Sequence, residues 1–470
     1  MVKDQLSVTA MPECEKHKSV REHTPNAREI ALSVLDRLER QSSLTLRTVL
    51  SDALRLGSDR RDIALATELI YGILRHRLYL DYYISQFTRF PLQKSPDTTV
   101  NILRIGAYQI LFLSKVPDYA IVNESVALAR KVSNERNARF VNALLRALIA
   151  KHNDVALPEK NNEYRTFLSI YHSHPLWIVD LFLHLFGKER VESVLKADNE
   201  SAMMDLRVNT LKTTPDEVRD ILKEQECEEV GSGAYCPETL RIKPLSGIGQ
   251  QAFFRKGLVY IQDEASQIVS HLLAPREDEV ILDYCGTPGG KTTHIAQLQH
   301  DRGTLIAVAE DETGARKISE NCDRLGVHSV RIVYPLSDVE KALKRKKVDK
   351  ILVDAPCSAL GTIRRHPDVK WNKTPKDIDK LAHTQIRILS DAVKYLKPGG
   401  ILVYSTCTLT REENEQVIET FLSEHPGFSL GKSPDSLPRS MEGLFTSEGY
   451  MKTYPHTHHI DGFFAAILNA

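Results

Sequence analysis

The sequence predicts a multidomain protein in which an all-α bundle precedes a small α+β segment and a C-terminal α/β domain built on a mostly parallel sheet. Three observations carry this. A length of 470 residues exceeds what one hydrophobic core usually serves. Between about residues 26 and 150 the apolar residues recur with the helical period and never alternate as strands do. From about residue 247 onward, short apolar runs alternate with helical segments, the order that yields a doubly wound sheet.

Taken in order, residues 1–25 are polar, mixed in charge and without periodicity, and read as a disordered or extended tail. Ile30, Val34, Leu35 and Leu38 form one helical stripe, and Ala64, Leu65, Leu69, Ile70 and Ile73 a second. Ile102, Leu103, Ile105, Ile110 and Leu111 mark a third, and Phe140, Leu144, Leu145 and Leu148 a fourth, so residues 26–150 form a helical bundle. Arg28 to Arg146 holds eighteen Lys and Arg against twelve Asp and Glu, a surplus suited to an anionic partner. Residues 151–164, polar and carrying Pro158, read as a linker. Over 165–246, helical periodicity near Trp177 to Phe186, the run Leu206 to Thr210 and a helix at Pro215 to Glu224 predict the small α+β segment. Within 247–470, Val280–Asp283, Thr304–Ala309, Lys350–Asp354 and Ile401–Tyr404 are the predicted strands.

Composition excludes several classes of protein. The net charge is zero, and seven scattered cysteines without a Cys-x-x-Cys pair argue against a disulfide framework or a zinc site. No run approaches the ~20 apolar residues of a membrane span, and the N-terminus lacks a signal-like apolar core. The adjacent His456, His458 and His459 lie in a polar stretch and do not read as metal ligands. The expectation is a cytoplasmic monomer with no metal and no membrane contact.

Chemistry concentrates at three predicted strand ends. Cys357 follows Asp354-Ala355-Pro356, Cys407 follows Ser405-Thr406, and Gly286-Thr287-Pro288-Gly289-Gly290-Lys291-Thr292 follows Val280–Asp283. The C-terminal edge of an open α/β sheet is where ligands bind. A lone buried cysteine is usually a small core hydrophobe, but two thiols arriving at one edge suggest a reaction centre. The glycine turn fails as a Walker A loop, because its first glycine would fall on Cys285. It also lacks G-x-G-x-x-G and is left as a turn that lets a ligand approach the backbone. Lys291, Arg364 and Arg365 are candidate cations to activate a thiolate. Two thiols and one carboxyl suit alkylation of a pyrimidine at carbon 5: a thiolate adding at C6 makes C5 nucleophilic, a carboxyl stabilises the ring, and a second thiol assists release. Such a base must be unstacked, which favours single-stranded or loop RNA.

At these residues the chain resembles the RNA cytosine-C5 methyltransferases that use S-adenosylmethionine. The resemblance rests on Leu282 to Thr293, on Asp354 to Gly361 with Arg364-Arg365-His366-Pro367-Asp368, on Ser405-Thr406-Cys407 with Glu412-Glu413-Asn414, and on Asp461-Gly462-Phe463-Phe464. Leu206 to Thr210 and Gln262 to Ser266 match segments preceding the family's catalytic core, and residues 66–75 and 140–146 are similar to the antitermination factor NusB. This fusion is that of the small-subunit ribosomal RNA methyltransferase B group. The resemblance implies a NusB-like bundle, a Rossmann-like class I methyltransferase domain, and methylation of a cytosine of 16S ribosomal RNA, cytosine 967 in the family. It implies Cys407 as nucleophile, Cys357 in product release and Asp354 on the base; chemistry alone does not order the two thiols. It places S-adenosylmethionine against Cys285, Gly286, Thr287, Pro288, Gly289, Gly290, Lys291 and Asp354; Glu310, Asp311 and Asp338 are the candidate acids beside it, with Glu310 expected on the ribose through a one-residue shift. The expected RNA contacts are Arg207, Asn209 and, from their place beside the nucleophile, Arg364, Arg365 and His366. The chain departs from the family at two cofactor positions. Ala309 stands where the second strand normally ends in an acid, with Glu310 and Asp311 following, and Tyr334-Pro335 replaces a further acid, with Asp338 nearest. The alternatives are a transfer RNA methyltransferase, or an RNA-binding assembly factor with a decayed cofactor site.

Overall fold

The computed structural model describes residues 24–41, 44–54, 59–225, 227, 230–245 and 247–470. The tail expected over residues 1–25 lies almost wholly outside them. The first six helices are α1 (Ala27–Arg40), α2 (Leu46–Leu54), α3 (Arg60–Ser85), α4 (Asp97–Phe112), α5 (Asp118–Val132) and α6 (Glu135–Lys151). Asn26, Asp59 and Asn134 start α1, α3 and α6 by accepting backbone N–H bonds, and Pro96 and Pro117 precede α4 and α5. The stripes named from sequence meet in one core that includes Ile30, Leu69, Ile73, Leu103, Leu144 and Leu148.

The stretch expected to be one α+β unit divides in two. Helices α7 (Tyr164–Tyr171) and α8 (Leu176–Asn199) pack Ile178, Phe182, Val191 and Leu195 against Leu360, Ile363, Val369 and Leu409, residues of the loops that carry the two cysteines. The separate sheet runs in the order β2-β3-β1-β4, all antiparallel, from β1 (Met204–Val208), β2 (Gly231–Ser232), β3 (Thr239–Ile242) and β4 (Val259–Ile261). Helix α9 (Pro215–Glu224) buries Val218 and Leu222 in the same core as Leu206, Leu240 and Val259, and the short α10 (Ala252–Arg255) adds Phe253. Strand β4 lies past residue 247, so the boundary expected there falls inside this sheet. Three residues are too few to show a strand period, which is why the sequence did not mark it.

The large sheet has the order β10-β12-β9-β8-β5-β6-β7, with β11 also on β12. Its parallel part comprises β5 (Val280–Asp283), β6 (Thr304–Val308), β7 (Val330–Val333), β8 (Val348–Asp354) and β9 (Leu396–Thr406). The strands β10 (Ser429–Leu430), β11 (Met451–Thr453) and β12 (Phe463–Asn469) add antiparallel pairing at one side. Between strands lie α11 (Glu264–Leu272, before β5), α12 (Gly290–Leu298), α13 (Glu312–Leu325), α14 (Val339–Ala342), α15 (Val369–Asn372), α16 (Pro375–Ala392) and α17 (Glu415–Glu424). The chain runs outward from β5 to β6 and β7, then returns to place β8 on the other side of β5. That reversal opens a crevice at the C-terminal ends of β5 and β8, where Asp283, the glycine turn and Asp354 emerge.

Candidate active site

The sheet register assembles the site. Asp354 pairs with Ser405 across β8 and β9, so the loop after each strand leaves the sheet at the same level. Cys357 and Cys407, 50 positions apart in sequence, are brought to a sulfur–sulfur distance of 3.2 Å, and the Cys407 N–H donates to Cys357 Sγ at 3.3 Å. Both residues are half-buried. The hydrogen bond with Cys407, and after it burial, push the Cys357 thiol well above its ordinary pKa. Cys357 is therefore held as a thiol.

Asp354 is oriented from two sides. Ser405 Oγ donates to its Oδ1 at 2.8 Å, and Lys291 Nζ donates to its Oδ2 at 2.8 Å. Lys291 is nearly buried and lies over the Phe463 ring, 5.0 Å from its centroid. The cation thus holds the carboxylate of Asp354 rather than a cysteine. Beneath the Cys357 loop, the fully buried Glu413 accepts from Ser358 N at 2.8 Å, Ser358 Oγ at 2.5 Å, Thr410 Oγ1 at 2.8 Å and Gln385 Nε2 at 3.1 Å. Gln385 also donates to the Pro356 carbonyl. Sequence reading recorded Glu413 only as part of a motif, and it did not single out Ser405, Gln385 or Phe463 as site residues. For Ser405 the signal was present, since equal apolar runs before Asp354 and Ser405 set their register.

The glycine turn lies over the end of β5. Gly289 has φ +100°, a conformation that L side chains rarely adopt, and a Cβ there would meet Ile318 Cα at 3.3 Å. Helix α12 begins at the next residue, with its N-terminal N–H groups toward the crevice. Thr292 Oγ1 donates to Asp283 Oδ2 at 2.6 Å and pins the turn to its strand. Cys285 is half-buried, and burial followed by Asp283, Asp354 and Glu310 raises its thiol pKa. At the end of β6, Ala309 is buried while Glu310 is exposed, its N–H directed at Thr287 Oγ1 across 3.4 Å. Asp311 Oδ1 caps α13 by accepting from Gly314 N at 2.6 Å. Asp338 is exposed at the end of a short helical turn after β7.

The expected RNA contacts fare differently. Arg207 is 1% exposed; its guanidinium donates to Gln262 Oε1, the Gly290 carbonyl and Thr293 Oγ1 at 2.5, 2.6 and 2.9 Å. Asn209 is buried and donates to the carbonyls of Gly257 and Leu325. Both residues fasten the small sheet to the catalytic domain, and neither presents a donor to a phosphate in this structure. Arg364 is likewise buried against Asp461 and Asp263, at 2.7 and 3.3 Å. Arg365, partly exposed, bonds Asp263 at 2.5 Å, Asp461 at 3.0 Å and the Met203 carbonyl at 2.7 Å, with Asp205 at 3.4 Å. Three carboxylates pair with the two charges in this structure, and neither guanidinium contacts a cysteine. His366 is exposed beside them. No described helix is long and apolar enough to cross a membrane.

Residues 270–469 match the family model for the 16S rRNA methyltransferase RsmB/F, residues 25–150 the NusB family, and residues 174–245 the ferredoxin-like domain of RsmF/B-like methyltransferases. A probable ribosomal RNA small subunit methyltransferase B from Bacillus subtilis is 36% identical, the match covering 93% of this chain and 97% of that protein. The ribosomal RNA small subunit methyltransferase B of Proteus mirabilis is 32% identical, with 94% and 98% covered. Among solved structures, that of PH0851 superposes with a TM-score of 0.80 at 24% identity, over 94% of this chain and 98% of that one. NSun6 from Pyrococcus horikoshii, solved with SFG, gives 0.56 at 27% identity, over 63% of this chain and 98% of that one. With its helical N-terminal domain, its ferredoxin-like sheet and its paired thiols, the chain belongs to the small-subunit ribosomal RNA methyltransferase B family and is an RNA methyltransferase.

Proposed function

We propose that the chain methylates carbon 5 of a cytosine in 16S ribosomal RNA, with Cys407 as nucleophile, Cys357 assisting release and Asp354 bonded to the base. The observation that carries this reading is the 3.2 Å contact of the two sulfurs beside a carboxylate already oriented by Lys291 and Ser405. Addition of Cys407 Sγ at C6 of the ring makes C5 nucleophilic. A proton shared between Asp354 and N3, with the exocyclic amine alongside, stabilises the charge that develops on the ring. Cys357, held as a thiol next to the attacking sulfur, supports the thiolate before addition and is placed to assist loss of the C5 proton, directly or through water.

S-adenosylmethionine, when bound, supplies an electrophilic methyl group. The donor set fits it. The N-terminus of α12 and the turn from Cys285 through Lys291 suit the amino-acid portion. Glu310 is exposed where the buried Ala309 offers no carboxylate, and we assign it the ribose hydroxyls; Asp311, whose Oδ1 caps α13, and the exposed Asp338 are the further candidate acids. Calorimetry with S-adenosylhomocysteine tests this: Glu310→Ala is expected to weaken binding about tenfold or more, and unchanged affinity removes the assignment. For the function as a whole, labelled S-adenosylmethionine and unmethylated 16S RNA are incubated with the enzyme and 5-methylcytosine is mapped. Label at one cytosine C5 supports the reading. RNA binding without transfer would indicate an assembly factor, and label only on transfer RNA a different substrate.

A further inference from the structure

Away from the catalytic crevice, four metal-ligating side chains converge where the ferredoxin-like sheet meets helices α11 and α12. Cys236 and Glu238 come from the turn leading into β3, His271 from the last turn of α11, and His294 from the middle of α12. The Cys236 thiol, a Glu238 carboxylate oxygen and a His271 ring nitrogen all lie within 4.8 Å of one another. His294 Nε2 adds a fourth donor, 2.7 Å from the Glu238 Oε1 that His271 Nε2 approaches at 2.8 Å. All but His271 are buried, and its side chain is 13% exposed.

Hydrogen bonding satisfies Glu238, whose Oε1 accepts from both imidazoles, but leaves the Cys236 thiol with little to do. Two imidazoles direct Nε2 at a single carboxylate oxygen, and His294 Nδ1 is buried with no hydrogen-bond partner. The Cys236 sulfur has one long contact, 3.9 Å from the Glu264 carbonyl. A cation at the centre would engage the Cys236 sulfur, the Glu238 oxygen and the two Nε2 atoms; His294 Nδ1, on the far side of its ring, takes no part. We propose that Cys236, Glu238, His271 and His294 form a structural zinc site. Thiolate, carboxylate and two neutral imidazoles are a donor set that a borderline-soft d¹⁰ ion accepts in tetrahedral geometry. On binding, the Cys236 S–H bond breaks, a sulfur–zinc bond forms and the proton passes to solvent. The two negative ligands then balance the dication. Binding requires the 2.8 and 2.7 Å contacts at Glu238 Oε1 to open to a tetrahedral edge of about 3.3 Å, and His294, which lies outside the group of three whose ligand atoms are all within 4.8 Å, to move toward the centre.

The site would lock the recognition sheet to the cofactor helix, because His294 lies three positions after Lys291 on α12. The sequence hides it: the ligands are scattered from 236 to 294 in no Cys-x-x-Cys or His-x-x-x-His pattern, and only the fold gathers them.

The test uses the full chain with Cys357→Ser and Cys407→Ser, so that the active-site thiols cannot bind metal. Titration with cobalt(II) is expected to saturate at one ion per chain, with tetrahedral visible bands and an ultraviolet thiolate charge-transfer band. Cys236→Ser is expected to abolish the thiolate band, and His271→Ala to weaken binding more than about tenfold. Elemental analysis of the unmodified full chain is expected to find zinc at about one per chain. Absence of both zinc and a cobalt–thiolate band overturns the proposal, as does a band that survives Cys236→Ser. If Cys236→Ser does not fold, the unmodified protein decides by its melting curve: a strong chelator should lower the transition and zinc restore it, and a transition indifferent to both overturns the site.

Discussion

At Cys357 the hydrogen bond to the neighbouring sulfur and burial both favour the protonated thiol, beside the sulfur proposed to attack. Cys357→Ala is therefore expected to stall after addition and accumulate RNA that stays bound through denaturing electrophoresis, whereas Cys407→Ala yields none; the reverse pattern would exchange the two roles. Lys291 acts on the same chemistry through Asp354. Lys291→Met leaves a carboxylate held only by Ser405, and turnover is expected to fall about 100-fold with RNA affinity little changed, as single-turnover kinetics and filter binding would show. An unaltered turnover would mean that Asp354 needs no fixed cation. The three strand-end residues Asp354, Cys357 and Cys407 were legible in sequence because each follows an apolar run that sets its depth in the sheet. The roles of the arginines were not legible. Arg207, Arg364 and Arg365 look like phosphate ligands in a linear reading, and only the fold reveals Asp205, Asp263 and Asp461, which come from distant segments to pair with Arg364 and Arg365, and the neutral acceptors that surround Arg207. Glu413 escaped for the same reason, because its four donors arise from two loops and a helix.

Those loops form a second level of organisation, in which backbone approaches backbone. Gly361 N donates to the Cys407 carbonyl at 3.0 Å, and Gly462 N to the Gly361 carbonyl at 2.8 Å, so the loops after β8, β9 and β11 are stitched together at one glycine. A Cβ on Gly361 would lie 2.0 Å from the Gly462 oxygen and 2.9 Å from the Cys407 oxygen, both backbone atoms with little freedom to yield. Gly361→Ala is expected to cost about 3 kcal/mol or more of stability and to part the two sulfurs, abolishing adduct formation. Gly427→Ala, where nothing lies within 4 Å, is the control and should leave both unchanged. Thermal melts of the pair decide whether the contact is as tight as the geometry requires. At this scale the parallel strands and bundle helices were legible from their periods. Strand β4 and the docking of α7 and α8 were not: β4 is too short for a period, and the apolar stripe of α8 shows that a partner surface exists without naming it. That surface proves to include the cysteine loops, so the pair of helices also buttresses the catalytic centre.

Across the whole molecule, the segment after the Cys357 loop is also the seat of the N-terminal bundle. Asp368 accepts from Leu46 N at the start of α2, Trp371 donates to the Leu74 carbonyl, and the buried Lys370 ammonium donates to the carbonyls of Arg75 and Ser173 and to Asn199 Oδ1. The bundle, the α7–α8 pair and the catalytic domain therefore meet at one short stretch of chain. His76 lies in this junction at an irregular turn of α3, where its φ and ψ of −114° and 20° leave the helical region, with its ring stacked 4.5 Å from that of Phe112. Burial, then the positive charges of Lys370 and Arg75, lower its pKa from 6.5 to about 4. The sign of the consequence follows from proton counting. Below pH 6.5 the unfolded chain protonates this imidazole while the folded chain does not, so stability falls as the pH drops from 6.5 toward 4 and the loss levels off below that. For this shift the full loss is about 3 kcal/mol. Other buried groups titrate in the same range, and comparison with His76→Phe, which keeps an aromatic ring on Phe112, cancels them. Urea denaturation of both proteins at pH 7 and pH 4.5 is expected to show the variant gaining on the unmodified enzyme by about 2 to 3 kcal/mol on acidification. An equal pH dependence in the two would mean that His76 is free to protonate, and that the charges of Lys370 and Arg75 do not converge on the junction as the geometry requires.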